Sequence, residues 1–208
     1  MTSVVVRIAP SDLRPTGAEP LSAVEATRAT AYESAQARNR FVAARTLARR
    51  TAGALWSIEP GQVILTQRCP TCGAKDHGIP RARGGAKIGS ISISHADGAV
   101  AVAIGPASDP IGIDIEPLHA DTAGLIISGR PINISGWTAL EAVTKAWGVG
   151  LTVPFDNIDW TNIDANRFRA RLRGYPVLEI TPLDIPRFAC AVAALPGSQL
   201  DVATVSGP

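Results

Sequence analysis

A change of period in the hydrophobic pattern is the feature that most restricts the fold of this chain. Residues 21–50 contain neither glycine nor proline, and Ser22 and Glu25 have the spacing of a capping box at the start of a helix. From Ile88 onward, isoleucine alternates with serine, which is the period-two pattern of a β-strand. The first half therefore predicts one or two helices followed by strands.

The second half repeats this order. Residues 137–147 predict a helix, with Thr138 and Glu141 as a candidate capping box and Gly148 near its end. Short apolar runs between turn residues predict strands at 3–8, 61–66, 88–94, 99–104, 111–116, 167–173, 176–181 and 187–194, and residues 67–87 read as a loop. We predict an α+β fold with two similar halves, residues 1–105 and 106–208.

Composition excludes several classes of protein. Hydrophobic residues make up 46% of the 208 residues and charged residues 18%, which is enough apolar material for a core. A formal net charge of +2 argues against a polybasic nucleic-acid binder. Three cysteines cannot form a disulfide framework, and neither a signal peptide nor an apolar run long enough to span a membrane is evident. We expect a soluble cytoplasmic protein.

The hexapeptide Ile111–Glu116 carries the clearest chemical signal. On a strand its three isoleucines would point to one face, and Gly112, Asp114 and Glu116 to the other. The two carboxylates would then lie roughly 7 Å apart, a pair that can hold a divalent cation beside substrate phosphates. The alternative is an amphipathic strand whose polar face meets water.

Further polar residues admit two interpretations each. Glu141 and Lys145 share a helix face, either as a simple ion pair or as a metal ligand and a phosphate-facing cation. His95 ends the serine-rich strand, as a structural or an anion-binding residue. Five arginines crowd the segment 38–50 and would either be solvated or meet an anionic cofactor.

Taken in order, these motifs resemble a known family. Arg40-Phe41-Val42-Ala43-Ala44-Arg45, Ser94-His95, Gly112-Ile113-Asp114-Ile115-Glu116, Trp137-Thr138 with Glu141-Ala142 and Lys145, and the closing Lys145-Ala146 with Gly148 and Gly150-Leu151 follow one another at characteristic spacing. The sequence from about residue 21 to 195 is similar to the 4′-phosphopantetheinyl transferases of the long, surfactin-synthetase-activating type.

The resemblance implies a fold and a reaction. Members of this family are pseudo-twofold α+β proteins that bind coenzyme A between two halves, here residues 1–105 on the 3′-phosphate and adenine side and 106–208 with the metal and carrier side. They transfer phosphopantetheine to a serine of an apo acyl or peptidyl carrier protein and release adenosine 3′,5′-bisphosphate, as holo-acyl-carrier-protein synthases do. A monomer is expected.

The same resemblance implies roles for individual residues. Asp114, Glu116 and Glu141 would coordinate Mg²⁺ bound to the pyrophosphate of coenzyme A. Glu141 would also serve as the base for the incoming serine, and Lys145 would neutralise charge on the pyrophosphate. Candidates for holding the phosphates of coenzyme A are Ser94, His95, Arg40, Arg45, Lys75 and, with a looser correspondence, Arg28.

The sequence departs from the family pattern in three places. Leu140 stands where a lysine usually precedes the glutamate, and Ile79 replaces the lysine of a Gly-Lys-Pro turn. The connector 117–136 is short for a segment that normally lies near the carrier protein. The alternative is therefore a protein that binds coenzyme A or a carrier but has lost turnover.

Two features lie outside this pattern. Cys69 and Cys72, followed by His77, form half of a zinc site; we favour reduced cysteines that pack a loop, with a zinc-stabilised interaction domain as the alternative. The four arginines of residues 167–173 either meet an acidic carrier protein or protect an exposed edge strand.

Overall fold

A computed structural model describes residues 2–17, 19–69, 72–74, 78–122, 126–127, 130–164 and 166–205. The α-helices in these residues are α1 (Ala23–Thr30), α2 (Ala35–Trp56) and α3 (Ile134–Trp147). The strands are β1 (Ser3–Pro10), β2 (Ile64–Arg68), β3 (Ile79–Gly84), β4 (Lys87–Ala96), β5 (Ala99–Pro106), β6 (Gly112–Pro117), β7 (Ile126–Ile127), β8 (Arg130–Pro131), β9 (Asp159–Asp164), β10 (Arg167–Arg171), β11 (Leu178–Ile185), β12 (Phe188–Ala194) and β13 (Gln199–Thr204). The predicted α+β class is confirmed.

The strands form two large sheets and a short ribbon of β7 with β8. The six-stranded sheet has the order β13-β1-β5-β4-β3-β2, in which β1 and β13 are parallel and the other neighbours antiparallel. The five-stranded sheet is antiparallel, with the order β6-β12-β11-β10-β9. The last strand of the chain thus returns to pair with the first.

The core consists of three packed layers of apolar side chains. Helix α2 covers the six-stranded sheet and buries Phe41, Ala44 and Ala48, as their helical spacing predicts. Helix α3 covers the five-stranded sheet. The opposite faces of the two sheets pack on each other, with the isoleucines of β6 in this middle layer. In the described part of the chain, none of the helices is long and apolar enough to cross a membrane.

The two sheets approach each other where β4 passes β6. The backbone N–H of Ile113 donates a hydrogen bond of 3.0 Å to the Ser92 hydroxyl. Ser92 and Ser94 are both buried, so the serine face of β4 is turned toward β6 rather than toward water. This contact between sheets places the polar face of β4 beside the acidic residues of β6.

Several local predictions were correct. Ser22 accepts a hydrogen bond from the Glu25 N–H, and the Glu25 carboxylate accepts one from the Ser22 N–H, which confirms the capping box of α1. Gly148 ends α3 in the left-handed conformation, with φ of 70°. The predicted strands 3–8, 99–104, 111–116 and 187–194 correspond to β1, β5, β6 and β12.

Other local predictions were wrong. Residues 67–87 are not all loop, because Ile79–Gly84 pair between β2 and β4. Helix α3 begins at Ile134 with Asn133 as its N-cap, so Thr138 lies inside the helix and donates to the Ser135 carbonyl. Strand β10 is not an edge, since β9 and β11 flank it.

Candidate functional site

Glycine at position 112 allows α3 to lie directly on β6. A Cβ atom at this position would overlap the carbonyl oxygen of Ala142 and crowd the backbone nitrogen of Ala146. The helix backbone therefore approaches the strand as closely as glycine permits. Glu141 and Lys145, which each precede one of these contact residues, are brought beside Asp114.

The Lys145 ammonium group connects the helix to both sheets. Its Nζ lies 2.5 Å from Asp114 Oδ1, 3.2 Å from Ser94 Oγ and 3.5 Å from Glu141 Oε2. The Ser94 hydroxyl donates a 2.7 Å hydrogen bond to the same Asp114 oxygen. The predicted ion pair between Glu141 and Lys145 is present, but the closest partner of Lys145 is Asp114.

Asp114, Glu116 and Glu141, called the acidic site below, carry more negative charge than their surroundings neutralise. Removal from water raises the pKa of Glu116 and of Glu141, and the Asp114 charge raises both further, against the opposing effect of Lys145. Burial, together with the charge of Asp114, also raises the pKa of the Cys190 thiol to about 12. Three carboxylates thus face one ammonium group.

A divalent cation fits the chemistry of the acidic site. Carboxylate oxygens are preferred Mg²⁺ ligands. Asp114 is only 2% exposed, and among the described residues its Oδ2 atom has no hydrogen-bond partner. In those residues no three His, Cys, Asp or Glu side chains are already gathered around one metal position. A cation would therefore have to draw the carboxylates together.

A cavity of about 720 Å³ opens beside the acidic site, between α1, α2, β4 and the end of α3. Lys145 lines this cavity and also contacts Asp114, so it joins the two regions. The basic and aromatic residues of the lining also include Arg28, Tyr32, Phe41, Arg45 and His95. The wall is thus cationic and partly aromatic.

Phe41 organises the two arginines of this wall. The guanidinium carbons of Arg45 and Arg28 lie 5.1 Å and 5.5 Å from its ring centroid, which is cation–π distance. Arg45 Nε is also 3.7 Å from Glu25 Oε1. The sequence predicts Glu25 as part of a capping box and Phe41 as a core residue of α2. It predicts neither of them as a residue that shapes the site.

Three other arginines of α2 are paired elsewhere. Arg49 is buried and contacts Glu25 at 2.5 Å, and Arg50 contacts Glu19 at 2.6 Å. Arg40 lies 3.5 Å from Asp97, an acid that the sequence reasoning missed. Arg40 does not line the cavity, so of the five arginines predicted as a cluster, Arg45 is the one placed in its wall.

His95 lines the cavity from the end of β4. Partial removal from water lowers its pKa, and the positive charges of Arg40, Lys145 and Arg45 lower it further, against a backbone hydrogen bond that raises it. The side chain is partly open to the surface and lies among these three cations. A cationic surrounding of this kind favours an anion.

The other predicted residues have varied positions. Lys75 and His77 lie outside the described residues, while Cys69 and Cys72 line the cavity. Leu140 is 1% exposed within the core under α3. Ile79 lies against Gly148, where an added Cβ would overlap its side chain. In β10, Arg167 pairs with Asp164 and Arg169 with Glu179. Of the connector, the structure describes residues 117–122, 126–127 and 130–136.

Comparison with known proteins places part of the chain in a family model. Residues 134–193, from the start of α3 into β12, match the family model of the 4′-phosphopantetheinyl transferase superfamily. No curated protein matches the chain. The match points to phosphopantetheine transfer in general, and the family implies coenzyme A and a carrier protein as partners.

Proposed function

We propose that this chain transfers the 4′-phosphopantetheine group of coenzyme A to a serine of an apo acyl or peptidyl carrier protein. The reaction would depend on Mg²⁺ and release adenosine 3′,5′-bisphosphate, as in the surfactin-synthetase-activating type of this superfamily and in holo-acyl-carrier-protein synthases. The observation that carries the proposal is the position of Lys145. This residue lies in the matched segment, contacts Asp114 and Glu141, and lines a cationic cavity.

In this proposal Asp114, Glu116 and Glu141 hold the Mg²⁺ ion. Asp114 Oδ2, which has no hydrogen-bond partner among the described residues, and the excess of carboxylates over cations around it support that assignment. When bound, the ion would supply positive charge to the pyrophosphate and to the leaving bisphosphate.

Two residues of α3 would handle the proton and the charge. Glu141 is half-buried and its pKa is raised, which suits a group that accepts the proton of the carrier serine. As that proton leaves, the serine oxygen forms a bond to the β-phosphorus of coenzyme A, and the bond from this phosphorus to the bridging oxygen breaks with the bisphosphate leaving. The Lys145 ammonium would offset the negative charge that develops there.

The cavity would hold coenzyme A by its phosphates. Its volume lies within the range of roughly 300–1,000 Å³ that is usual for small-molecule sites. Arg45, Arg28 and His95 in the wall, with Ser94 beside His95, are the proposed phosphate contacts. Arg40 is assigned the same role by family resemblance alone, and Lys75 as a replacement for the family lysine that is missing at position 79.

The division into two similar halves, 1–105 and 106–208, also remains a proposal. One helix-covered sheet lies mainly in each half, which supports it, although β13 joins the sheet of the first half. We propose a cytoplasmic monomer whose exposed Arg171 and Arg173 face the acidic surface of the carrier. Carrier and pathway class, whether fatty acid, polyketide, peptide or siderophore, follow from the test below.

The test combines the purified chain with coenzyme A, Mg²⁺ and a panel of apo-carriers, and weighs the carriers by mass spectrometry. We expect one or more carriers to gain the mass of phosphopantetheine. Asp114→Ala and Glu116→Ala should abolish the gain, whereas Asp12→Ala, which removes an exposed carboxylate near the first strand, should not.

The alternatives give different results in the same assay. Binding of coenzyme A without a mass gain on any carrier would identify a protein that has lost turnover. Full activity of the Asp114→Ala variant would refute the proposed metal ligands even if transfer occurred. Stoichiometric zinc in the purified chain would favour the zinc-stabilised interaction domain built on Cys69, Cys72 and His77.

A further inference from the structure

We infer that Lys145 is a displaceable counter-ion of the acidic site. Its ammonium group holds Asp114 while no metal ion is bound, and metal binding shifts that group from Asp114 into the cavity. The inference rests on the metal site of the proposed function and adds an exchange between two cations on one carboxylate.

The contacts of Lys145 show where its charge is held. Its Nζ is 2.5 Å from Asp114 Oδ1 and a full ångström farther from Glu141 Oε2, its neighbour on the helix. The Ser94 hydroxyl donates a hydrogen bond to the same Asp114 oxygen and accepts one from Lys145 Nζ. The ammonium group is therefore bound by both Asp114 and Ser94. Asp114 is thus the residue that Lys145 neutralises most directly.

A divalent cation would compete with this arrangement. Asp114 is 2% exposed and its second oxygen is unpartnered among the described residues, so a metal ion bound there would lie within a few ångströms of the ammonium group. Two like charges on one buried carboxylate repel each other strongly, because little water separates them. Binding the ion therefore favours departure of Lys145.

The cavity provides space for the Lys145 ammonium group once it leaves Asp114. It occupies the last turn of α3, its side chain is 29% exposed, and it already lines the cavity. A flexible four-carbon stem lets the ammonium group turn from Asp114 toward that space. An anion in the cavity would then gain a cation whenever the metal site is filled, and by linkage the anion would raise metal affinity equally.

The first test measures Mn²⁺ binding by calorimetry without coenzyme A. Lys145→Met removes the competing cation, so we expect its dissociation constant for Mn²⁺ to fall about tenfold or more below that of the unaltered chain. Lys87→Met is the matched control, since Lys87 is exposed and lies seven residues from Ser94 along β4. Equal or weaker Mn²⁺ binding by Lys145→Met would overturn the inference.

The second test needs no variant and therefore does not depend on folding of Lys145→Met. The chain has three lysines, so an amine-reactive reagent and peptide mass spectrometry can follow each of them separately. We expect saturating Mn²⁺ to increase the labelling rate of Lys145 several-fold and to leave that of Lys87 unchanged. An unchanged Lys145 rate would refute the exchange. Neither readout requires transfer activity, so this inference and the proposed function can fail independently.

Discussion

Replacing Gly112 with alanine should push α3 away from β6 and disrupt the acidic site, although none of the side chains of that site is changed. The added methyl group would meet the Ala142 carbonyl oxygen and the Ala146 nitrogen, which belong to the helix backbone. A flexible side chain could rotate away, but a hydrogen-bonded helix backbone can only move as a unit. The helix would therefore shift and carry Glu141 and Lys145 away from Asp114.

The cost can be bounded from known overpacking effects. One extra methyl group in a tightly packed interior costs about 1–3 kcal/mol in free energy of unfolding. For a domain of this size, each kcal/mol lowers the melting temperature by roughly 2–4 °C, which gives a decrease of about 2–12 °C. Transfer activity should fall by about 100-fold, because a 1 Å displacement of a catalytic group can cost that much in rate.

The matched control is Gly136→Ala in the first turn of the same helix. A Cβ at that position meets its nearest neighbours, Asn133 and Ile132, at 3.5 Å and 3.6 Å, which is ordinary contact. Alanine is also the better helix former by up to about 1 kcal/mol, so this variant should be as stable as the parent or more so. Thermal unfolding by circular dichroism and the carrier mass assay measure both variants. A Gly112→Ala chain with parental melting temperature and activity would refute the close approach of α3 to β6.

Three further predictions concern single side chains. Burial raises the pKa of Glu25, but hydrogen bonds and charges from Arg49 and the other partners of Glu25 outweigh this and lower the net pKa below 4.5. The resulting stability should be present above pH 4.5 and lost as the pH falls through the lowered pKa. In urea titrations, Glu25→Gln should be less stable than the parent at pH 7, and its free energy of unfolding should depend less on pH across that acid range. Leu140→Lys should destabilise the fold by about 3 kcal/mol in urea unfolding, because it buries an unpaired charge; an unchanged midpoint would show that the position can reach water. Ser94→Ala should cost about 1 kcal/mol by the same measurement through loss of its hydrogen bond to Asp114, and no loss would contradict that contact.

Sequence patterns could predict those elements that local chemistry determines. The capping box of α1 needs two residues three apart, and the polar face of β6 follows from the alternation of a strand. Strands β9 and β13 give a weaker signal, because most of their residues are exposed and neither strand has a fully buried apolar face. They form because β10 and β1 present open edges to them, and those edges exist only in the folded sheets.

The acidic site shows the same limit. The sequence pairs Glu141 with Lys145 through helix spacing, and that contact exists at 3.5 Å. The tighter contacts of Lys145 are with Asp114 and Ser94, which lie on strands of different sheets. No spacing rule connects those sheets, so only the folded chain shows that one ammonium group serves both of them.

Two of the three departures from the pattern of the family that the sequence resembles have a common physical effect. Leu140 adds an apolar side chain to the core under α3, and Ile79 places another against the end of that helix at Gly148. Each position thus exchanges a cation for packing that fixes α3 in place. The cavity wall contains the cations Arg28, Arg45 and Lys145 among its described residues, so the positive charge for the proposed anionic substrate comes from α1, α2 and α3. Lys145 is the cation of this wall that also reaches the acidic site, and its release from Asp114 would therefore matter more here than in a relative with lysines at both positions.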